Sequence, residues 1–241
     1  MNQTNQAFQR IEQKYILTPA QHEALCRILR QRMRADPYGE QTIASVYYDT
    51  PGFTLIRQSL EKPVYKEKLR IRSYGRAQSK DEVFVELKKK YKGVVYKRRT
   101  VMALDAAERF LNRGIVPEDM NQVQREIDNF RIRYRPAPAA LVICERTAFE
   151  GPDDSGLRLT LDRRIRCRDE RLDLRQELDG AELLPPAYAL MELKAPRAMP
   201  LWMARALSEL RVYPVSFSKY GAYYQNFLSK PAAEGGFAHV A

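Results

Sequence analysis

Charged side chains recur at every second position in strand-length segments of this chain: Glu12 and Lys14; Lys68, Arg70 and Arg72; Glu86 and Lys88; Lys97 and Arg99; Arg158 and Asp162; Glu192 and Lys194. Apolar residues fill the positions between them, as Leu69 and Ile71, Val85 and Leu87, Leu157, Leu159 and Leu161, and Met191 and Leu193 do. Successive side chains on a strand point to opposite faces. Each segment therefore carries one charged and one apolar face, and Arg146 among Val142, Ile143 and Phe149 adds a further strand of the same kind. For one strand alone, a solvated outer face explains the pattern. Repetition along the chain argues for more.

Lys68, Arg70 and Arg72 place three like charges in a row on one face. At ~5 Å and an effective dielectric of ~20, each like pair costs roughly 3 kcal/mol, which a bound polyanion would offset. Closed into a barrel, with charged faces inward and apolar faces under helices, such a sheet makes a hydrated cationic tunnel. The sparse carboxylates among the cations, Glu12, Glu86, Asp162 and Glu192, suit a divalent metal, because Mn²⁺ and Mg²⁺ prefer oxygen ligands.

The spacing predicts a strand at 10–16, a helix from Thr18-Pro19 to about Arg34 ended by Asp36-Pro37-Tyr38-Gly39, and a strand at 42–48. A short helix or loop then reaches Leu60, and strands follow at 66–74, 82–90 and 94–101, the last two joined as a hairpin at Gly93. Helices are expected at 103–112 and 118–130, and strands at 140–149, 157–161, more weakly 164–168, and 188–194. Helices at 200–210 and 218–228 end the chain. No repeat or linker divides the 241 residues, so one mostly antiparallel α+β domain over 1–241, ordered from about 8 to 228, is the economical reading.

Lys and Arg outnumber Asp and Glu by 41 to 30, a net charge of +11 that points to polyanionic partners. The three cysteines are odd in number and never form a CxxC pair, so they are read as reduced, mostly buried thiols. Two histidines leave no His-rich metal site and disfavour a Ser/His/Asp triad. No apolar run approaches the ~18–20 residues of a membrane helix, and MNQTNQAFQRIEQKY lacks the features of a secretory signal. The expected location is the cytoplasm, with any attachment to the inner face of a membrane left to a membrane-protein partner. A nucleic-acid partner is not expected: neither an aromatic stacking motif nor a recognition helix stands out.

Eight segments in order, RIEQKY, SVYYDTP, KLRIRSYG, VFVELKKK with VVYKRR, ERTAFEG, LRLTLD, MELK and FSKYGAYY, resemble the VTC domain of polyphosphate polymerases. That family has the triphosphate tunnel (CYTH-like) fold, an eight-stranded antiparallel barrel with flanking helices. The resemblance implies transfer of the γ-phosphoryl group of ATP onto a polyphosphate chain with Mn²⁺ or Mg²⁺. By motif, Lys14, Arg70, Arg72, Lys88, Arg146 and Lys219 are expected in the catalytic set. Arg99 and Arg158, with Lys97 and Lys194 beside them, are expected to bind substrate, and Glu192, with Glu12 and Glu86, to bind metal. Facing water and ligand, Arg70, Lys88 and Glu192 are expected to matter little for stability.

Two departures stand out. The wider ExExK signature of the tunnel fold appears as Arg10-x-Glu12-x-Lys14, without the first acidic ligand of hydrolytic relatives. Cys144 replaces a frequent tyrosine two residues before the ERTAF-type arginine. The alternatives to a polymerase are a triphosphate or nucleotide hydrolase or cyclase of the same fold and a non-catalytic polyphosphate-binding module.

Overall fold

The computed structural model describes residues 11–152, 156–196 and 198–229; Arg10, the start of the first expected strand, lies outside them. Strand β1 (Ile11–Leu17) leads into helix α1 (Pro19–Arg32) through a reciprocal cap. The Thr18 hydroxyl accepts from the Gln21 backbone N–H while the Gln21 side chain accepts from the Thr18 N–H, and Pro19 takes the first helical position. Then come β2 (Arg34–Asp49), α2 (Thr54–Leu60), β3 (Tyr65–Tyr74), β4 (Glu82–Tyr91) and β5 (Val94–Ala103). Helices α3 (Leu104–Arg113) and α4 (Gln122–Tyr134) separate these from β6 (Ala137–Glu150), β7 (Arg158–Arg168), β8 (Ala181–Glu182) and β9 (Ala189–Ala195). Last are α5 (Leu201–Glu209), β10 (Pro214–Val215) and α6 (Lys219–Tyr223), which runs into a π-helical turn at Tyr224–Leu228.

The strands form one antiparallel sheet in the order β10-β1-β9-β7-β6-β2-β3-β4-β5, with β8 beside β7. Eight strands are long, and β8 and β10 have two residues each. The hydrogen-bonded ladder does not close among the described residues: it ends at β10 and at β5. The sheet nonetheless curls until Lys88 on β4 and Glu12 on β1 stand 3.7 Å apart, although five strands separate them along the ladder.

Two boundaries differ from the spacing. Asp36–Gly39 does not simply terminate a helix; it bulges out of β2, whose pairing with β6 lapses after Ala35–Phe149 and resumes at Glu40–Thr147. The short turn signal bends a 16-residue strand instead of ending it. The weak strand at 164–168 is the continuation of β7, kinked at Arg164, which has φ +45°, where the register with β6 shifts. At the β4–β5 hairpin, Lys92 and Gly93 both take positive φ, as a two-residue turn matched to strand twist requires.

The apolar strand faces lie outward, as the alternation predicts. Under α3 and α4, Phe110, Ile127 and Phe130 pack on Val46, Leu69, Val85 and Leu87. Under α1 and α5, Leu25, Leu29, Met203 and Leu207 pack on Tyr15, Leu159, Met191 and Leu193. A third cluster sits on the inner face, where Ile43, Val142, Cys144 and Leu190 meet Ile56 of α2 and Tyr220 and Tyr223 of α6. The C-terminal helix thus plugs one part of the curled sheet.

Asp49 locks this plug in place. Its carboxylate, 1% exposed, accepts from the backbone N–H groups of Thr50 (2.8 Å), Leu55 (2.9 Å) and Ile56 (3.0 Å) and from the Tyr220 hydroxyl (3.0 Å). It thereby caps α2 at a turn where Phe53 is left-handed and offers no side-chain cap, and it ties α2 to α6. Burial and this neighbouring carboxylate push the Tyr220 hydroxyl well above its ordinary pKa, so it stays a donor. Asp49→Ala leaves three or more buried donors without their acceptor and is expected to lower stability by about 2–4 kcal/mol, read as a shift in urea midpoint; an unchanged midpoint would refute the role.

Candidate functional site

The curl brings the charged strand faces together on the inside. Lys14 and Glu192 are direct cross-strand partners, as are Glu12 and Lys194, Arg158 and Lys194, Arg146 and Asp162, Arg70 and Glu86, Glu86 and Arg99, and Lys88 and Lys97. Lys219 comes from α6 rather than the sheet. The residues expected from the motifs therefore share one inner face, and the distances divide them into groups.

Glu86, 2% exposed, is the first hub. Its Oε2 accepts from Arg70 Nε at 2.7 Å and lies 2.6 Å from Arg70 Nη2 and 3.8 Å from Arg72 Nε, while Oε1 lies 2.6 Å from Lys97 Nζ. Burial would raise its pKa, but Arg70, Arg72 and Lys97 outweigh burial and hold it at about 2. Asp162, 1% exposed, is the second hub. Arg146 donates to both of its oxygens, at 2.6 and 2.7 Å, and Lys219 donates to Oδ2. Burial is again outweighed, here by Lys219 and Arg146, so Asp162 stays ionised far below the usual carboxylate range. Glu192 makes the third, looser group, with Lys194 at 2.5 Å and Lys14 at 4.0 Å. Against burial, these two and Lys219 bring Glu192 to about 2.

Two expectations change in this light. Glu86, expected among the metal carboxylates, lies instead within 2.6 Å of both Arg70 and Lys97, which leaves little room for a cation at either oxygen. Arg70 is not a free water-facing side chain: removing it would strip a buried carboxylate of its closest partner, so its substitution is expected to cost stability. Lys88 is 44% exposed and lies 3.7 Å from Glu12, its one ion-pair partner among the described residues. Arg158 sits at the rim, 70% exposed, 3.4 Å from Glu150. Arg99 stacks its guanidinium 4.5 Å from the Phe84 ring centre.

For a metal, the fit is set by donor chemistry. Among the described residues no three His, Cys, Asp or Glu side chains gather as a metal cage. Mg²⁺ and Mn²⁺ sites of phosphate-handling proteins often use one or two carboxylates and complete the shell with substrate phosphate and water. Glu192, ionised and only partly enclosed, with Glu12 on the adjoining strand, fits that pattern; Glu86 and Asp162 do not.

Three participants were not singled out from the sequence. Tyr47 accepts from Arg70 Nη1 at 2.9 Å and stacks on Tyr220 with ring centres 5.0 Å apart. Ser45 accepts from Arg72 at 3.4 Å, and Ser218 accepts from Lys68 Nζ at 2.9 Å. Alternation within SVYYD put Ser45 and Tyr47 on one face, but only the β2–β3 register sets them opposite Arg72 and Arg70. Cys144 lies in the inner apolar cluster, 3% exposed, with burial raising its thiol pKa, so no ionisable hydroxyl stands there.

Burial, reinforced by Lys14, Lys66 and Lys88 and opposed by Tyr47, lowers Lys68 to about 8. Burial would raise Tyr47, yet Arg70, Lys68, Arg72 and Lys219 bring it to about 8. The pair therefore titrates together in mildly alkaline solution. As pH rises, Lys68 loses a positive charge or Tyr47 gains a negative one, so either event makes the face less cationic. Tripolyphosphate affinity is expected to fall by roughly tenfold from about pH 7 to about pH 9.5, with the fall blunted in Tyr47→Phe/Lys68→Arg; a flat wild-type titration would count against it.

An antiparallel sheet curled round a cationic inner face, with helices packed outside, is the architecture of the triphosphate tunnel (CYTH-like) fold. A candidate adenylate cyclase from Bacillus halodurans shares it with a TM-score of 0.54 at 14% identity, over 87% of this chain and 95% of that one. One from Vibrio parahaemolyticus aligns over 90% of this chain and 98% of its own, at 15% identity and a TM-score of 0.48. The family model for the VTC domain matches residues 9–228, and the chain belongs to that family. Among the described residues no helix is long and apolar enough to cross a membrane.

Proposed function

We propose that this protein is an ATP-dependent polyphosphate polymerase, moving the γ-phosphoryl group of ATP onto the end of a polyphosphate chain inside the cationic face and releasing ADP. The observation that carries the proposal is the preorganised arrangement of Arg70, Arg72 and Lys97 on Glu86, and of Arg146 and Lys219 on Asp162, in a chain of the VTC family. Phosphoryl transfer asks the protein chiefly for positioning and charge neutralisation, with little covalent chemistry. A terminal phosphate oxygen of the polymer attacks the γ-phosphorus, the bond from that phosphorus to the β,γ-bridging oxygen breaks, and the leaving oxygen keeps the electron pair on ADP.

Arg70, Arg72 and Arg146 offer planar forks that suit phosphate oxygens, and their carboxylate partners hold those forks in orientation before substrate arrives. Lys14, Lys88 and Lys219 supply point charges to spread negative charge, while Lys97, Arg99, Arg158 and Lys194 extend the cationic surface toward its edges. Glu192, with Glu12 beside it, would hold Mn²⁺ or Mg²⁺, which supplies additional neutralisation of phosphate charge. A membrane-protein partner for the product, and a place at the inner face of a membrane through it, belong to the same proposal.

Incubation with ATP and Mn²⁺ is expected to give long-chain polyphosphate and ADP. Orthophosphate or pyrophosphate without chains would replace the proposal with hydrolysis or cyclisation, and tight polyphosphate binding without turnover would replace it with a sensor. Lys88→Ala is expected to lower synthesis at least about tenfold at an unchanged melting temperature, whereas Arg70→Ala abolishes synthesis and costs about 3–5 kcal/mol of stability. Unchanged synthesis in both variants would remove these residues from the reaction.

A further inference from the structure

The inner face contains a second cationic zone built differently from the first. Around Glu86, Asp162 and Glu192, cations are paired with carboxylates. Along the other half of the β3–β4 ribbon they are paired with each other: Lys68 stands directly opposite Lys88, and Lys66 directly opposite Lys90. Like charges directly opposite across an antiparallel pair are destabilising. Among the described residues Lys66, Lys68 and Lys90 form no ion pair; Lys68 donates to the Ser218 hydroxyl and Lys66 to the Ser59 carbonyl at 3.0 Å, both neutral acceptors. Burial, with Lys90, Lys88 and Lys62, lowers the Lys66 pKa, as expected where no anion compensates.

The Lys66–Lys90 rung is four residue pairs from the Arg70–Glu86 rung, with Lys68–Lys88 midway on the same face, about 14 Å along strands that rise ~3.4 Å per residue. This backbone interval is longer than a triphosphate, whereas a continuing phosphate chain spans it, and Lys68–Lys88 lies between. We infer that Lys66 and Lys90 form an outer subsite for the continuing part of a linear polyphosphate, which makes the protein selective for long chains over triphosphates. This rests on the polyphosphate reading above, and it adds a specificity determinant beyond the site residues expected from the motifs.

Binding of tripolyphosphate and of long-chain polyphosphate to the full chain, wild type and Lys66→Gln/Lys90→Gln, tests the subsite without requiring turnover. Glutamine keeps an uncharged donor and much of the side-chain stem, and a wild-type melting temperature in the double variant checks the fold. The ratio of long-chain to tripolyphosphate affinity is expected to fall about fivefold or more in the variant, with a shallower salt dependence for the long chain. A smaller change in that ratio overturns the subsite, as does a loss shared equally by both ligands. Synthesis from ATP, measured separately, distinguishes the two failures: chains made by wild type with an unaltered ratio refute the subsite alone, whereas length-selective binding without synthesis refutes the polymerase.

Discussion

The structure depends on how a sheet can carry many cations on one enclosed face. Glu86 and Asp162, each almost fully buried, bind Arg70 with Lys97 and Arg146 with Lys219. Two cations ~5 Å apart repel by roughly 3 kcal/mol at an effective dielectric of ~20, so a buried anion between them is what lets the face persist without ligand. The same carboxylates aim the guanidinium forks. Stability and preorganisation are therefore served by the same contacts, and the cationic face cannot be weakened at Arg70 without loosening the fold around Glu86.

The inner face is also where the two halves of the chain are joined. Lys219 reaches Asp162 from α6, Ser218 meets Lys68, the Phe217 carbonyl accepts from Lys14 at 2.8 Å, and Tyr220 lies on Tyr47. Asp49 holds that helix to α2 from beneath. A five-residue helix with no N-terminal acidic residue has little stability of its own. Its position comes from the apolar plug formed by Ile43, Val142, Leu190, Tyr220 and Tyr223, which fills one part of the interior beside the charged part.

The face divides into a zone where carboxylates compensate cations and a zone where lysines oppose lysines. The first is organised by buried carboxylates; in the second Lys88 meets Glu12 at 3.7 Å, while among the described residues Lys66, Lys68 and Lys90 form no ion pair.

Much of this architecture was legible from period-two alternation alone, because burial of one strand face forces the pattern on every strand that carries it. Charged and apolar faces, the Thr18-Pro19 helix start and the hairpin at Gly93 all follow from local chemistry. Which carboxylate serves which cation did not, since Glu12, Glu86, Asp162 and Glu192 look alike along the chain, and only register and curl decide that two are enclosed by guanidinium and ammonium groups. The bulge at Asp36–Gly39 reads locally as a stop, and only pairing with β6 carries the strand through it. Period-two alternation alone places the cations on one face of each strand; which face is enclosed and how its charges are compensated follow from strand register and curl, because ion pairing depends on distances between strands and helices far apart in the chain.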